Sequence, residues 1–145
     1  MIDNKLNSVL LVDDNRATNF YNKHLFQQIG FDGTISMVEN GSQALKFIDQ
    51  AEIPDIIFLD INMPVMDGIE FLIEAQKNDS FKNSDAMVLI MMGVELTQDR
   101  LDIINATRKV GYVHGKMLTR EAVTSGINDY NNKSSQDRMN KLYQI

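Results

Sequence analysis

The chain has 145 residues, 43% hydrophobic and 23% charged, which suits one domain of ordinary size and leaves no room for a second full one. It has no cysteine, so disulfide scaffolds, cysteine-ligated zinc and thiol nucleophiles are excluded. The net charge of −6 argues against direct binding of DNA or RNA and suits a protein partner or a cation.

Met1-Ile2-Asp3-Asn4-Lys5 leads into a short apolar run broken by Asp13 and Asp14, which is not the pattern of a signal peptide. Ser8-Val9-Leu10-Leu11-Val12 reads as a first strand. Ala17, Phe20, Tyr21, His24, Leu25 and Ile29 then recur at helical spacing, with Gly30 placed to cap the helix. Thr34-Ile35-Ser36-Met37-Val38 reads as a second strand, and Asn40-Gly41-Ser42 opens a helix carrying Ala44, Leu45, Phe47 and Ile48. Ile56-Ile57-Phe58-Leu59 is continuous and apolar, as expected of a central strand buried on both faces, and Asp60 ends it. A helix follows Gly68 through Ile69, Phe71, Leu72, Ile73 and Ala75. Met87-Val88-Leu89-Ile90-Met91-Met92 is a fourth strand, and Thr97 caps a helix with Leu101, Ile103, Ile104 and Ala106. Tyr112-Val113-His114 is a short fifth strand, before a last helix from about Thr119 to about Tyr130. No apolar stretch approaches the roughly 18 residues that span a bilayer, so a cytoplasmic location is expected.

Five strands alternating with five helices predict an α/β domain, a doubly wound parallel sheet covered on both faces. The domain is expected over residues 1–130, with 131–145 as a polar tail or an extension of the last helix, and no output domain. In such sheets ligands bind beyond the carboxyl ends of the strands. Asp13 and Asp14 end the first strand and Asp60 ends the third, its expected neighbour, so three carboxylates should converge. Two unit charges about 5 Å apart repel by roughly 3 kcal/mol at an effective dielectric of about 20. A divalent cation resolves that repulsion. Mg²⁺ takes oxygen ligands and is commonly held by one or two carboxylates plus a phosphate. Taken singly, each acid is equally a loop residue or a helix cap; it is the convergence of all three that points to a site.

Leu11-Val12-Asp13-Asp14-Asn15 resembles the acidic pair of the response-regulator receiver family of two-component systems. Ile56-Ile57-Phe58-Leu59-Asp60-Ile61-Asn62-Met63-Pro64-Val65-Met66-Asp67-Gly68-Ile69-Glu70 is similar to the family's phosphoacceptor segment, and Lys116, followed by Leu118-Thr119-Arg120-Glu121, to the surroundings of its lysine. The likeness runs from about residue 8 to about 130. It implies the flavodoxin-like strand order 2-1-3-4-5. Asp60 would accept a phosphoryl group from a histidine kinase or phosphotransfer protein. Asp13, Asp14, Asp60 and the backbone carbonyl of Asn62 would hold Mg²⁺, and Lys116 would pair with the phosphoryl oxygens. Self-phosphorylation and slow self-dephosphorylation would be the extent of any enzymatic activity. Output would pass through a non-covalent protein partner, from a monomer or weak dimer, without direct contact to nucleic acid or membrane.

Three positions depart from the family pattern. Met92 stands where a Thr or Ser is expected, and a thioether donates no hydrogen bond; Gly93 keeps the small residue that follows. Met117 replaces the proline after the lysine, and Val113 holds the aromatic position, with Tyr112 one residue off. All three lie on the output side; Met92 and Met117 favour a second reading, a degenerate receiver that binds its partner without phosphorylation, which the acidic triad and Lys116 oppose. His24 is expected to be ordinary packing or surface. His114 borders Lys116 in sequence, and no metal-ligand spacing joins the two histidines.

Overall fold

The computed structural model describes residues 6–50, 52–92, 96–107, 110–114, 118–132 and 142–143. Among the described residues six parallel strands lie in the order β2-β1-β3-β4-β5-β6: β1 (Ser8–Val12), β2 (Thr34–Val38), β3 (Ile56–Asp60), β4 (Met87–Met92), β5 (Val110–His114) and β6 (Leu142–Tyr143). The helices are α1 (Arg16–Gln28), α2 (Gly41–Gln50), α3 (Gly68–Ala75), α4 (Asp79–Lys82), α5 (Gln98–Ala106) and α6 (Arg120–Asn132). The expected five-stranded order 2-1-3-4-5 is present. Two elements are additional. One is the single-turn α4, whose Asn78 side chain accepts the Phe81 amide at 2.9 Å while Phe81 is fully buried. The other is β6, two residues of the expected tail, which pair with Tyr112 and Val113 along the β5 edge.

The alternation of side chains along each strand splits the core in two. Leu10, Val12, Ile57, Leu59, Val88 and Ile90 face α2, α3 and α5, meeting Ala44, Ile48, Phe71, Leu72 and Ile104. Val9, Leu11, Ile56, Phe58, Met87 and Leu89 face α1 and α6, meeting Leu25, Phe26, Ala122 and Val123. All five residues of β3 are buried, as a strand covered on both faces requires. Phe26 meets Phe58 and Phe31 edge-on with ring centroids 5.5 Å apart in each pair, an arrangement favoured by the ring quadrupole.

The expected apolar stripe of α1 is corrected by the structure. Phe20 is 61% exposed, and Tyr21 and His24 are also exposed. The inward residues are Asn19, Asn22, Leu25 and Phe26. The helix has therefore turned two amides toward the sheet, because the strand ends and loops beneath it present backbone groups that need partners. Gly30 does end the helix as expected, at φ +87, a left-handed conformation that glycine adopts without steric cost.

At the amino ends of the strands a second polar cluster ties the chain together. Asp55 accepts the amides of Asn7 and Ser8 at 2.8 and 3.2 Å and the Tyr130 hydroxyl at 2.9 Å. Asn131 accepts the Leu6 amide at 2.9 Å. The last turns of α6 are thus fastened to β1 and β3 at the end of the sheet remote from Asp60.

Candidate metal and phosphoacceptor site

β1 and β3 are hydrogen-bonded neighbours with Val12 beside Leu59, so the residues that follow them emerge together. Carboxylate oxygens of Asp13, Asp14 and Asp60 all lie within 4.8 Å of one another. Asp13 and Asp60 are buried, and Asp14 is exposed at the mouth. Three hard oxygen donors at this spacing fit a small divalent cation, which would offset their mutual repulsion.

The turn after β1 is held by its own side chains. The Asn15 amide donates to Asp13 Oδ1 at 2.9 Å. Asn15 then caps α1 by accepting the Thr18 amide at 3.1 Å. Asn19 Nδ2 donates to the backbone oxygens of Asp13 and Val38 at 3.0 and 3.1 Å, joining the ends of β1 and β2.

The loop after Asp60 folds back tightly on the strand end. Gly68 N–H donates to the Ile61 carbonyl at 2.9 Å. A Cβ at Gly68 would lie 2.6 Å from the Asp60 carbonyl oxygen, so no larger residue fits without displacing the end of β3. At the tip, Val65 has φ 69 and the Met66 amide donates to the Pro64 carbonyl at 2.7 Å, closing a γ-turn. A β-branched residue at positive φ is strained. Met66 in turn accepts the Gly41 amide at 2.8 Å, which seats the loop on the start of α2. Asp67 caps α3 in a capping box with Glu70, and its other oxygen takes Arg100 Nη2 of α5 at 3.0 Å.

Of the residues singled out from sequence, the structure brings Asp13, Asp14 and Asp60 together. Asn62 is exposed, two residues past Asp60. Met92 ends β4 one residue beyond Met91, the register partner of Asp60, and lies beside His114 of β5. Gly93, Lys116 and Met117 lie outside the described residues. Four positions escaped the sequence reading: Asn19, Asn22, Asp67 and Arg100. The spacing Asp67…Glu70 ahead of an apolar run is a capping-box signature and could have been found. A buried asparagine on a helix has no comparable signal.

The model of the response regulator receiver domain family matches residues 9–114, well over half of the chain, and the chain belongs to that family. It is a receiver domain of the two-component signalling systems. Chemotaxis protein CheY of Listeria monocytogenes serovar 1/2a is 37% identical over 71 residues, covering 49% of this chain and 58% of that protein. Hybrid signal transduction histidine kinase A of Dictyostelium discoideum is 44% identical over 61 residues, 42% of this chain and 3% of the kinase. The chain spans less than two thirds of the length of these curated relatives. A two-component response regulator from Cytophaga hutchinsonii superposes with a TM-score of 0.77 at 26% identity, covering 89% of this chain and 99% of that one.

Proposed function

We propose that this receiver accepts a phosphoryl group on Asp60 from a histidine kinase or histidine phosphotransfer protein and signals through a non-covalent protein partner in the cytoplasm. The observation that carries the reading is the cluster of three carboxylates within 4.8 Å at the ends of β1 and β3. A carboxylate oxygen of Asp60 attacks phosphorus; the bond from phosphorus to the donor breaks, and the leaving group departs with its electron pair. The product is an acyl phosphate on the Asp60 side chain. Asp13, Asp14, Asp60 and the Asn62 carbonyl would hold Mg²⁺, which when bound neutralises charge on the transferring phosphoryl group. The protein's own contribution is placement. The Asn15 amide and the Asn19 side chain set the acidic turn, and the Gly68 contact sets the strand end that bears Asp60. Lys116 would neutralise the phosphoryl oxygens as a point charge.

The test is the intact mass of the protein after incubation with acetyl phosphate and Mg²⁺. One phosphoryl adduct is expected on the wild type, and none on Asp60→Asn or in the presence of a chelator. Met92 favours the second reading, a binding module indifferent to phosphorylation, because β4 ends on a thioether where the family carries a hydroxyl. That reading would be adopted if neither acetyl phosphate nor a cognate kinase labels a protein shown by calorimetry to bind Mg²⁺.

A further inference from the structure

We propose that Asn19 is a positioning residue for the divalent cation, acting through the backbone of Asp13; the inference rests on the reading of the three clustered acids as ligands of that ion. The hydrogen-bonded ladders of β1 with β2 and with β3 both end at Val12. Asp13 therefore stands just beyond the register of the sheet, and its peptide groups must be held by other partners.

Three contacts take over from the ladder. The Asp13 N–H donates to the Val38 carbonyl at 3.2 Å. The Asp13 carbonyl accepts Asn19 Nδ2 at 3.0 Å. Asp13 Oδ1 accepts the Asn15 N–H at 2.9 Å. The same Asn19 nitrogen also donates to the Val38 carbonyl, at 3.1 Å, which ties together the end of β1, the end of β2 and the first turn of α1. The peptides on both sides of the Asp13 Cα are thus fixed. With them is fixed the direction in which the carboxylate leaves the chain toward Asp14 and Asp60.

Nothing in the packing of α1 asks for an amide at this point. Asn19 is 3% exposed and shares the inward face of the helix with Leu25 and Phe26. Asparagine is a poorer helix former than leucine, and a buried amide opposes folding unless it is hydrogen-bonded. What an aliphatic side chain lacks is a nitrogen with two hydrogens to set between two carbonyl oxygens. A hydroxyl has one hydrogen and a carboxylate has none. The Asn19 N–H donates to the Asn15 carbonyl at 3.1 Å. The residue that holds the Asp13 carboxylate and the one that holds its peptide are therefore about one turn apart on a single rigid helix. Partners that orient metal ligands in this way set affinity without touching the ion.

The test is titration of the full chain with Mg²⁺ by calorimetry, well below the melting temperature of each variant. Asn19→Leu is expected to weaken binding roughly tenfold, as the loss of an orienting partner does. Asn22 is the other inward amide of α1 and takes the Leu118 N–H at 3.3 Å instead; Asn22→Ala is expected to leave the affinity unchanged. In labelling by acetyl phosphate, Asn19→Leu should need more Mg²⁺ by the same factor, with a plateau rate near the wild-type value once the ion saturates. If Asn19→Leu does not fold, Asn19→Ala carries the same expectations, and failure of both to fold would make Asn19 a purely structural residue and overturn the inference. It is overturned equally if the folded Asn19 variants bind Mg²⁺ as the wild type does, or if Asn22→Ala weakens binding as much. A wild type that binds no Mg²⁺ removes its basis. A wild type that binds Mg²⁺ but takes no label contradicts the phosphoacceptor reading alone, since the calorimetric comparison still decides the role of Asn19.

Discussion

Individual residues of the loop after Asp60 are under opposite constraints. Gly68→Ala places a methyl group 2.6 Å from the Asp60 carbonyl. It should destabilise the protein by about 1–3 kcal/mol, the usual range for overpacking, measured by urea denaturation. Val65→Gly should do the reverse. The Val65 side chain is 84% exposed and has little packing to lose, while its φ of 69 suits glycine. Relief of backbone strain exceeds the added freedom of the unfolded chain, and a gain of about 1 kcal/mol is expected. At this scale the acids were legible in the sequence because residues that end neighbouring parallel strands must meet. Asn19 and Asn22 were not. Helical spacing selected Phe20 and Tyr21 for the inner face, and periodicity is silent about backbone carbonyls that need a donor.

Between elements, Asp67 joins α3 to α5. It caps α3, completes the box with Glu70, and pairs with Arg100. Asp67→Ala removes the cap on the Glu70 amide and the pair with Arg100, while its own backbone N–H still meets Glu70 Oε1, and should cost about 1–2 kcal/mol, the range for loss of a good N-cap. Arg100→Gln removes only a partly exposed ion pair and should cost below about 1 kcal/mol, with the difference shrinking in high salt. Thermal unfolding of both variants at low and high salt checks the ranking; equal costs would show that the pair, not the cap, dominates. Strands β1, β2 and β4 match their expected bounds because apolar β-branched runs closed by acids, glycine or asparagine leave little freedom of assignment. The short α4 was missed because four residues are too few for periodicity. Strand β6 was missed because two residues in a polar segment carry no strand pattern of their own; their place comes from the unpaired edge of β5.

For the molecule as a whole, the carboxylate cluster ties stability to divalent cations. Without metal, the repulsion among Asp13, Asp14 and Asp60 opposes folding. Asp13→Asn keeps the acceptor for the Asn15 amide and removes one charge, so in chelator it should melt above the wild type. Mg²⁺ at a hundred times its dissociation constant should stabilise the wild type by about 2.7 kcal/mol and the variant far less, reversing the order. An unchanged order in both conditions would mean that the cluster does not bind the ion. The architecture was readable at this scale, since alternation of strands and helices together with one strand buried on both faces admits few topologies. The meaning of the departures at Met92, Val113 and Met117 was less so, because the family pattern at those positions concerns signalling rather than how the fold is built.

The central claim is that Asp60, among three clustered acids, is the group that takes the phosphoryl. Labelling with acetyl phosphate and Mg²⁺, followed by borohydride reduction of the acyl phosphate and peptide mass mapping, identifies the carboxylate directly. Homoserine at position 60 alone is the expected result. Homoserine at position 13 or 14, or at none of the three, would contradict it.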